Sequence, residues 1–165
     1  MLVSVTGPKG GSVDVGLQAT TVLAVKHYAK QLGISRLRNN ILVRIHHRID
    51  VGEWGTEGLC ECVDNRNYIL DIALYSNWLL NLAHEMVHVK QFARNELDPL
   101  MTSWKSNKYV SELDYWRQPW EKKHVGFNQN YWRSIAMKLH NIILWVLGLI
   151  VFNTIVMFWG IYLIA

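Results

Sequence analysis

Apolar positions along this chain recur with two periods, and each change of period marks an element. Over residues 41–49 the alternation is strict. Ile41, Val43, Ile45, His47 and Ile49 fall on one side and Leu42, Arg44, His46 and Arg48 on the other, which predicts a half-buried strand with a basic outer face. His46 and His47 point to opposite sides of such a strand and so do not share a metal. Gly52, Gly55 and Gly58 read as a loop. Residues 59–63 and 68–74 read as two further strands, joined as a hairpin across Asp64-Asn65-Arg66-Asn67. Short β-type runs at Leu2–Thr6 and 12–15 flank the turn signal Gly7-Pro8-Lys9-Gly10-Gly11. Over residues 17–32 the period lengthens. Leu17, Thr21, Ala24, Tyr28 and Leu32 share one helical face, and Gly33 follows as a cap.

A second helix is predicted over 77–95, with Ser76 as the candidate cap and Asp98-Pro99 ending the pattern. Most of it is apolar, but Asn77, Asn81, His84, His88, Gln91 and Asn95 recur at spacings of four and three. They form a polar stripe on a helix whose other side is buried, so the stripe opens to a cleft. Strand 68–74, directly before this helix, is expected to edge that cleft, where its backbone could pair with an extended peptide. Residues 100–118 are rich in aromatics without a clear period and read as a long connection or a short helix plus loop. Pro119 suits the first position of a third helix toward Lys138, weakened by Gly126 and Asn128-Gln129-Asn130. These elements make a small α+β domain with a short antiparallel or mixed sheet.

Charge divides the chain in two. All 17 Lys and Arg and all 13 Asp and Glu precede residue 139, and the 24 residues 142–165 carry none. A helix of that length spans about 36 Å, enough for a hydrocarbon core of about 30 Å. The expectation is one domain over 1–140 and a single transmembrane helix over 141–165. Lys122, Lys123, Arg133 and Lys138 lie just upstream, which keeps the domain on the cytoplasmic side. The first residues lack the apolar core of a signal peptide, so the arrangement reads as tail-anchored. Composition excludes a disordered, fibrous or polytopic membrane chain. The net charge of +4 permits a nucleic-acid partner through Arg44, Arg48 and the lysines but does not demand one. Cys60 and Cys62, the only cysteines, read as reduced thiols, poorly placed to bridge and too few for a zinc site of their own.

The central helix carries His84-Glu85-Met86-Val87-His88. Two histidines four apart stand one above the other on a helix, so both imidazoles can close on one metal ion. Glu85, turned about 100° from His84, lies beside such an ion rather than on it. There it can take a proton from a water molecule and pass it to a leaving amine. A catalytic zinc usually has three protein ligands. Glu121 and His124, one turn apart on the third helix, can each supply the third; Asp98, Glu112 and Asp114 are lesser candidates in the irregular segment.

With a helix and small sheet before it, the segment Leu82-Ala83-His84-Glu85-Met86-Val87-His88-Val89-Lys90-Gln91, followed by Gln118-Pro119-Trp120-Glu121, resembles the SprT-like zincins of bacteria and their phages. The resemblance runs over roughly residues 17–138. It implies a zinc metallopeptidase with a peptide or protein substrate. His84, His88 and Glu121 would be the metal ligands and Glu85 the catalytic base. Pro119 adds to the preference for Glu121 by fixing the direction of that first turn. Some relatives use a third histidine, which keeps His124 as the alternative, although a small residue commonly occupies its place in the family. Two other readings stand beside this one: a catalytically silent zincin scaffold that binds a partner at a membrane, and a basic nucleic-acid-binding module.

Overall fold

The computed structural model describes residues 1–47, 57–75, 77–105, 107–108 and 118–121. Strand β1 (Leu2–Thr6) leads through a 3-10 turn at Pro8–Gly10 into helix α1 (Val15–Gln31). The expected second β-run over 12–15 does not form. Asp14 instead caps α1, its carboxylate accepting from the Leu17 amide at 3.0 Å, and this local hydrogen bond outweighs the weak β preference of two valines. Helix α1 ends as its sequence indicates: Gly33 takes a left-handed φ of 70° just past the last turn. Thr21, Ala24, Tyr28 and Leu32 of the expected face are buried.

Strand β2 (Asn40–His46) runs parallel to β1 and to β4 (Asn67–Ala73), and β3 (Gly58–Cys62) lies antiparallel to β4. The order is β1-β2-β4-β3. The alternation read from β2 holds: Ile41, Val43 and Ile45 are buried, while Leu42, Arg44 and His46 are partly open on the other side. His47 falls beyond the strand end and is exposed, so it does not continue the buried row. Gly58, expected in a loop, is the first residue of β3.

The predicted hairpin forms, yet the strand expected to edge the cleft does not. Strand β4 is paired on both sides, by β2 and by β3, which leaves its backbone no groups for a peptide. Among the described residues the free edge beside helix α2 (Trp78–Ala93) belongs to β3. Helices α1 and α2 cover the face formed by Val5, Val43, Ile45, Leu70, Ile72 and Cys60, joined there by Ala24, Tyr28, Leu82 and Met86. Complete burial of one such aliphatic side chain contributes about 1.5–3 kcal/mol. Tyr28 ties the two helices, its hydroxyl donating to the Leu79 carbonyl at 3.1 Å.

Beyond α2 the chain makes a small ribbon, β5 (Ser103–Trp104) against β6 (Asn107–Lys108), within the stretch 100–118 expected as a long connection or a short helix plus loop, of which 109–117 lie outside the described residues. Asp98 organises it. Its carboxylate accepts from the Thr102 amide at 2.6 Å, the Thr102 hydroxyl at 2.8 Å and the Ser103 amide at 2.6 Å. Residues 119–121 are helical, and the rest of the third helix expected toward Lys138 lies outside the described residues. Among the described residues no helix is long and apolar enough to cross a membrane; the apolar tail 142–165 lies outside them.

Candidate metal centre

Helix α2 starts at Trp78 after Asn77; the proposed cap Ser76 lies outside the described residues. Its polar stripe is closed at one end and open at the other. Asn81 donates its amide to the Glu57 carboxylate at 2.7 Å. One turn on, the His84 side chain keeps 29% of its surface exposed, whereas His88 and Gln91 are buried. The cover over the buried end is the 118–121 turn, closed by the Glu121 amide donating to the Gln118 carbonyl at 3.0 Å. Trp120 packs into the core and Glu121 is only 2% exposed.

The His84 and His88 rings meet edge to face, with centroids 5.1 Å apart. Both present Nε2 to one carboxylate: Glu121 Oε2 lies 3.5 Å from His84, and Glu121 Oε1 lies 3.2 Å from His88. One potential ligand atom from each of the three lies within 4.8 Å of the others. The three residues thus converge as the sequence indicates. His124, Glu112 and Asp114 lie outside the described residues, and Asp98 is engaged in the ribbon turn, so it is not part of this cluster.

A chain of hydrogen bonds fixes which nitrogen of His88 faces the cluster. The Trp120 carbonyl can only accept, so Gln91 turns its NH₂ toward it, at 3.2 Å. Gln91 Oε1 is thereby turned to His88 Nδ1, 2.9 Å away, which must then donate. With Nδ1 carrying the proton, the neutral ring offers the lone pair of Nε2 to the cluster, the form a metal needs. The stripe pattern places Gln91 on the right face of the helix; its orienting contact depends on the Trp120 carbonyl and is not readable from spacing.

The protonation tendencies of the two histidines differ. Burial drives His84 down to about 4, and the neighbouring His88 adds to this against the pull of Glu121. Burial opposes charge on His88 too, but the hydrogen bond that its Nε2 donates to Glu121, then Glu85 and Gln91, raises it above its ordinary range. Glu121 is almost fully enclosed and faces two imidazoles, and a carboxylate buried to that degree is stable only when it is paired. Two imidazoles and a carboxylate are an established zinc set, so these residues fit the ion.

Glu85 is not one of the three clustered residues but interacts with His88 and Glu121. It is buried on the β3 side of α2, and Gly58 lies so close that a methyl group there would sit 2.7 Å from Glu85 Oε1. Burial raises its carboxyl to about 7, with Glu121 adding and His88 opposing. Cys60, on the same strand, is a buried free thiol held well above its usual range by burial and then by Glu85; Cys62 is also free.

On the far face of the sheet a second cluster was not anticipated. Arg44 and Asp71 are register partners and form an ion pair; His46 Nε2 contacts the other Asp71 oxygen at 2.5 Å. The expected basic face is therefore neutralised at Arg44, and Arg48 lies outside the described residues. Asp71 occupies the polar phase of β4, between Leu70 and Ile72, which is the signal that could have located it. No protein-family model, curated protein or solved structure matches the chain.

Proposed function

We propose that this protein is a zinc-dependent metallopeptidase of the SprT-like zincin kind, tethered to a membrane by residues 142–165 with its catalytic domain on the cytoplasmic side. The observation that carries the reading is the meeting of His84 and His88, from one helix, with Glu121 from a separate segment, all through metal-competent atoms. A zinc ion held by these three would act as a Lewis acid on the scissile carbonyl and make water a stronger nucleophile.

The chain's own residues supply the rest. Gln91 holds His88 in the ligand tautomer. The partly open side of His84 gives the substrate access, and Trp120 excludes water from the opposite flank. Glu85, whose carboxyl lies near 7, suits both halves of the proton transfer. As carboxylate it accepts a proton from the attacking water, and as acid it returns that proton to the departing amine. The edge of β3 that is unpaired among the described residues borders this space.

The test is Glu85→Gln beside His84→Ala, scored for bound zinc and for hydrolysis of a peptide library. Glu85→Gln is expected to keep zinc at one ion per chain and lose turnover by at least about a hundredfold; His84→Ala is expected to lose both. Cleavage at the unsubstituted rate by Glu85→Gln refutes the mechanism. Zinc bound at full stoichiometry without turnover in any form would leave a binding scaffold instead.

A further inference from the structure

Glycine weakens a strand unless something needs the space its missing side chain leaves. Gly58 opens β3 with no left-handed φ; the described glycines with positive φ are Gly10 and Gly33. Its backbone conformation is therefore open to any residue, and a spatial reason must be sought. Gly58 pairs with the buried Ile72, so its missing Cβ would point to the helix side of the sheet. That atom would meet Glu85 Oε1 at 2.7 Å, Cγ at 3.1 Å and Cδ at 3.2 Å. Three parts of one side chain thus lie along the bare Cα, and their position is defined by the methyl that is absent.

The neighbouring residue keeps strand and helix in that relation. Glu57 accepts from the Ala73 amide through its carbonyl, at 3.0 Å, and from the Asn81 amide through its carboxylate, at 2.7 Å. The first contact fastens this end of the strand to β4, and the second fastens it to α2 one turn before Glu85. The Glu85 carboxylate cannot move toward the strand without a clash, and the strand cannot easily lift away.

We infer that Gly58 is a positioning residue for Glu85, setting where its carboxylate lies beside the metal ligands, with the Glu57–Asn81 hydrogen bond as the clamp. The inference rests on the reading of Glu85 as the proton carrier. A carboxylate displaced by about 1 Å can cost about a hundredfold in rate while leaving substrate binding intact.

The experiment uses the full chain with Gly58→Ala, Glu85→Ala and the double variant, measuring zinc content, kcat, KM and thermal melting. Gly58→Ala should keep its zinc and its KM while kcat falls about a hundredfold. Its melting temperature should drop in the unsubstituted background but not in Glu85→Ala, where the space beside residue 58 is empty. An unchanged kcat in Gly58→Ala, or an equal drop in melting temperature in both backgrounds, overturns the inference. Absence of turnover in the unsubstituted chain would strike the peptidase reading alone, because the melting comparison still decides whether Gly58 and Glu85 are coupled.

Discussion

Two carboxylates in this protein lie between two basic side chains, one on each face of the sheet. Asp71 sits between Arg44 and His46, and Glu121 between His84 and His88. On the outer face the main partner is a guanidinium, permanently charged and a third exposed. The pair completes itself, and adjacent strands in register deliver its members. On the inner face both partners are imidazoles: burial keeps His84 neutral, and His88, raised by Glu121, carries a charge that is titratable where the guanidinium's is permanent. A carboxylate with an arginine is a finished ion pair. A buried carboxylate with two ring nitrogens turned toward it is a set that could hold a metal. The nature of the cationic partner therefore separates a candidate metal site from a structural ion pair of similar outline.

The most forceful way to break this comparison is to remove each carboxylate in turn. Glu121→Ala should lower zinc affinity by more than about a hundredfold, beyond the range typical of residues that only orient ligands. Asp71→Ala should leave zinc at its original stoichiometry. Isothermal titration of both variants, after stripping with a chelator, makes the measurement. Zinc affinity that falls equally in the two would erase the distinction between the faces.

Stability sharpens the same contrast from the other side. Asp71→Ala leaves Arg44 partly buried without its counter-ion, and among the described residues the Arg44 Nε already has no hydrogen-bond partner. The expected loss is about 1–3 kcal/mol, below that of a fully buried pair because Arg44 reaches solvent. Urea melts with zinc present would show it. If Asp71→Ala melts with the unsubstituted chain, the outer pair contributes nothing to the fold.

Local order was legible in the sequence where a short-range rule applies. The alternation of β2, the hairpin of β3 and β4, the buried face of α1 and the paired histidines of α2 all depend on neighbours within a few residues. Misreadings arose where distant pairing or a single side chain decides. The hairpin pairs β3 with β4 but says nothing of which strand takes the other flank; β2 takes it, and this moved the free edge from β4 to β3. Asp14 turned a β-type run into the start of a helix, and Asp98 folded an aperiodic stretch into a ribbon. In the site, His84 and His88 follow from spacing alone, and Glu121 from a resemblance supported by Pro119. Gly58 reads as a loop residue because its contact with Glu85 exists only after β3 and α2 have packed. Asp71 escaped notice because its partner lies on a strand joined by parallel, non-local pairing.

The smallest expected effect tests whether burial holds His84 and Glu85 in their uncharged forms in the metal-free protein. In the metal-free protein His84 titrates near 4 instead of 6.5, and Glu85 near 7 instead of 4.5. Between pH 4.5 and 6.5 the unfolded chain accepts a proton that folded His84 refuses, so this group makes stability rise with pH. Over the same window the unfolded chain has released a proton that folded Glu85 retains, so this group makes stability fall with pH. The two slopes oppose, and the metal-free protein should show little net dependence from them there. Above pH 6.5 the His84 contribution is complete, while Glu85 and the raised His88 both continue to lower stability. Glu85→Gln removes one slope. Its metal-free stability should climb between pH 4.5 and 6.5, where that of the unsubstituted chain stays nearly level. Urea unfolding in chelator across that range, run on both proteins, measures the difference, and parallel profiles would mean that Glu85 is not held protonated by its burial.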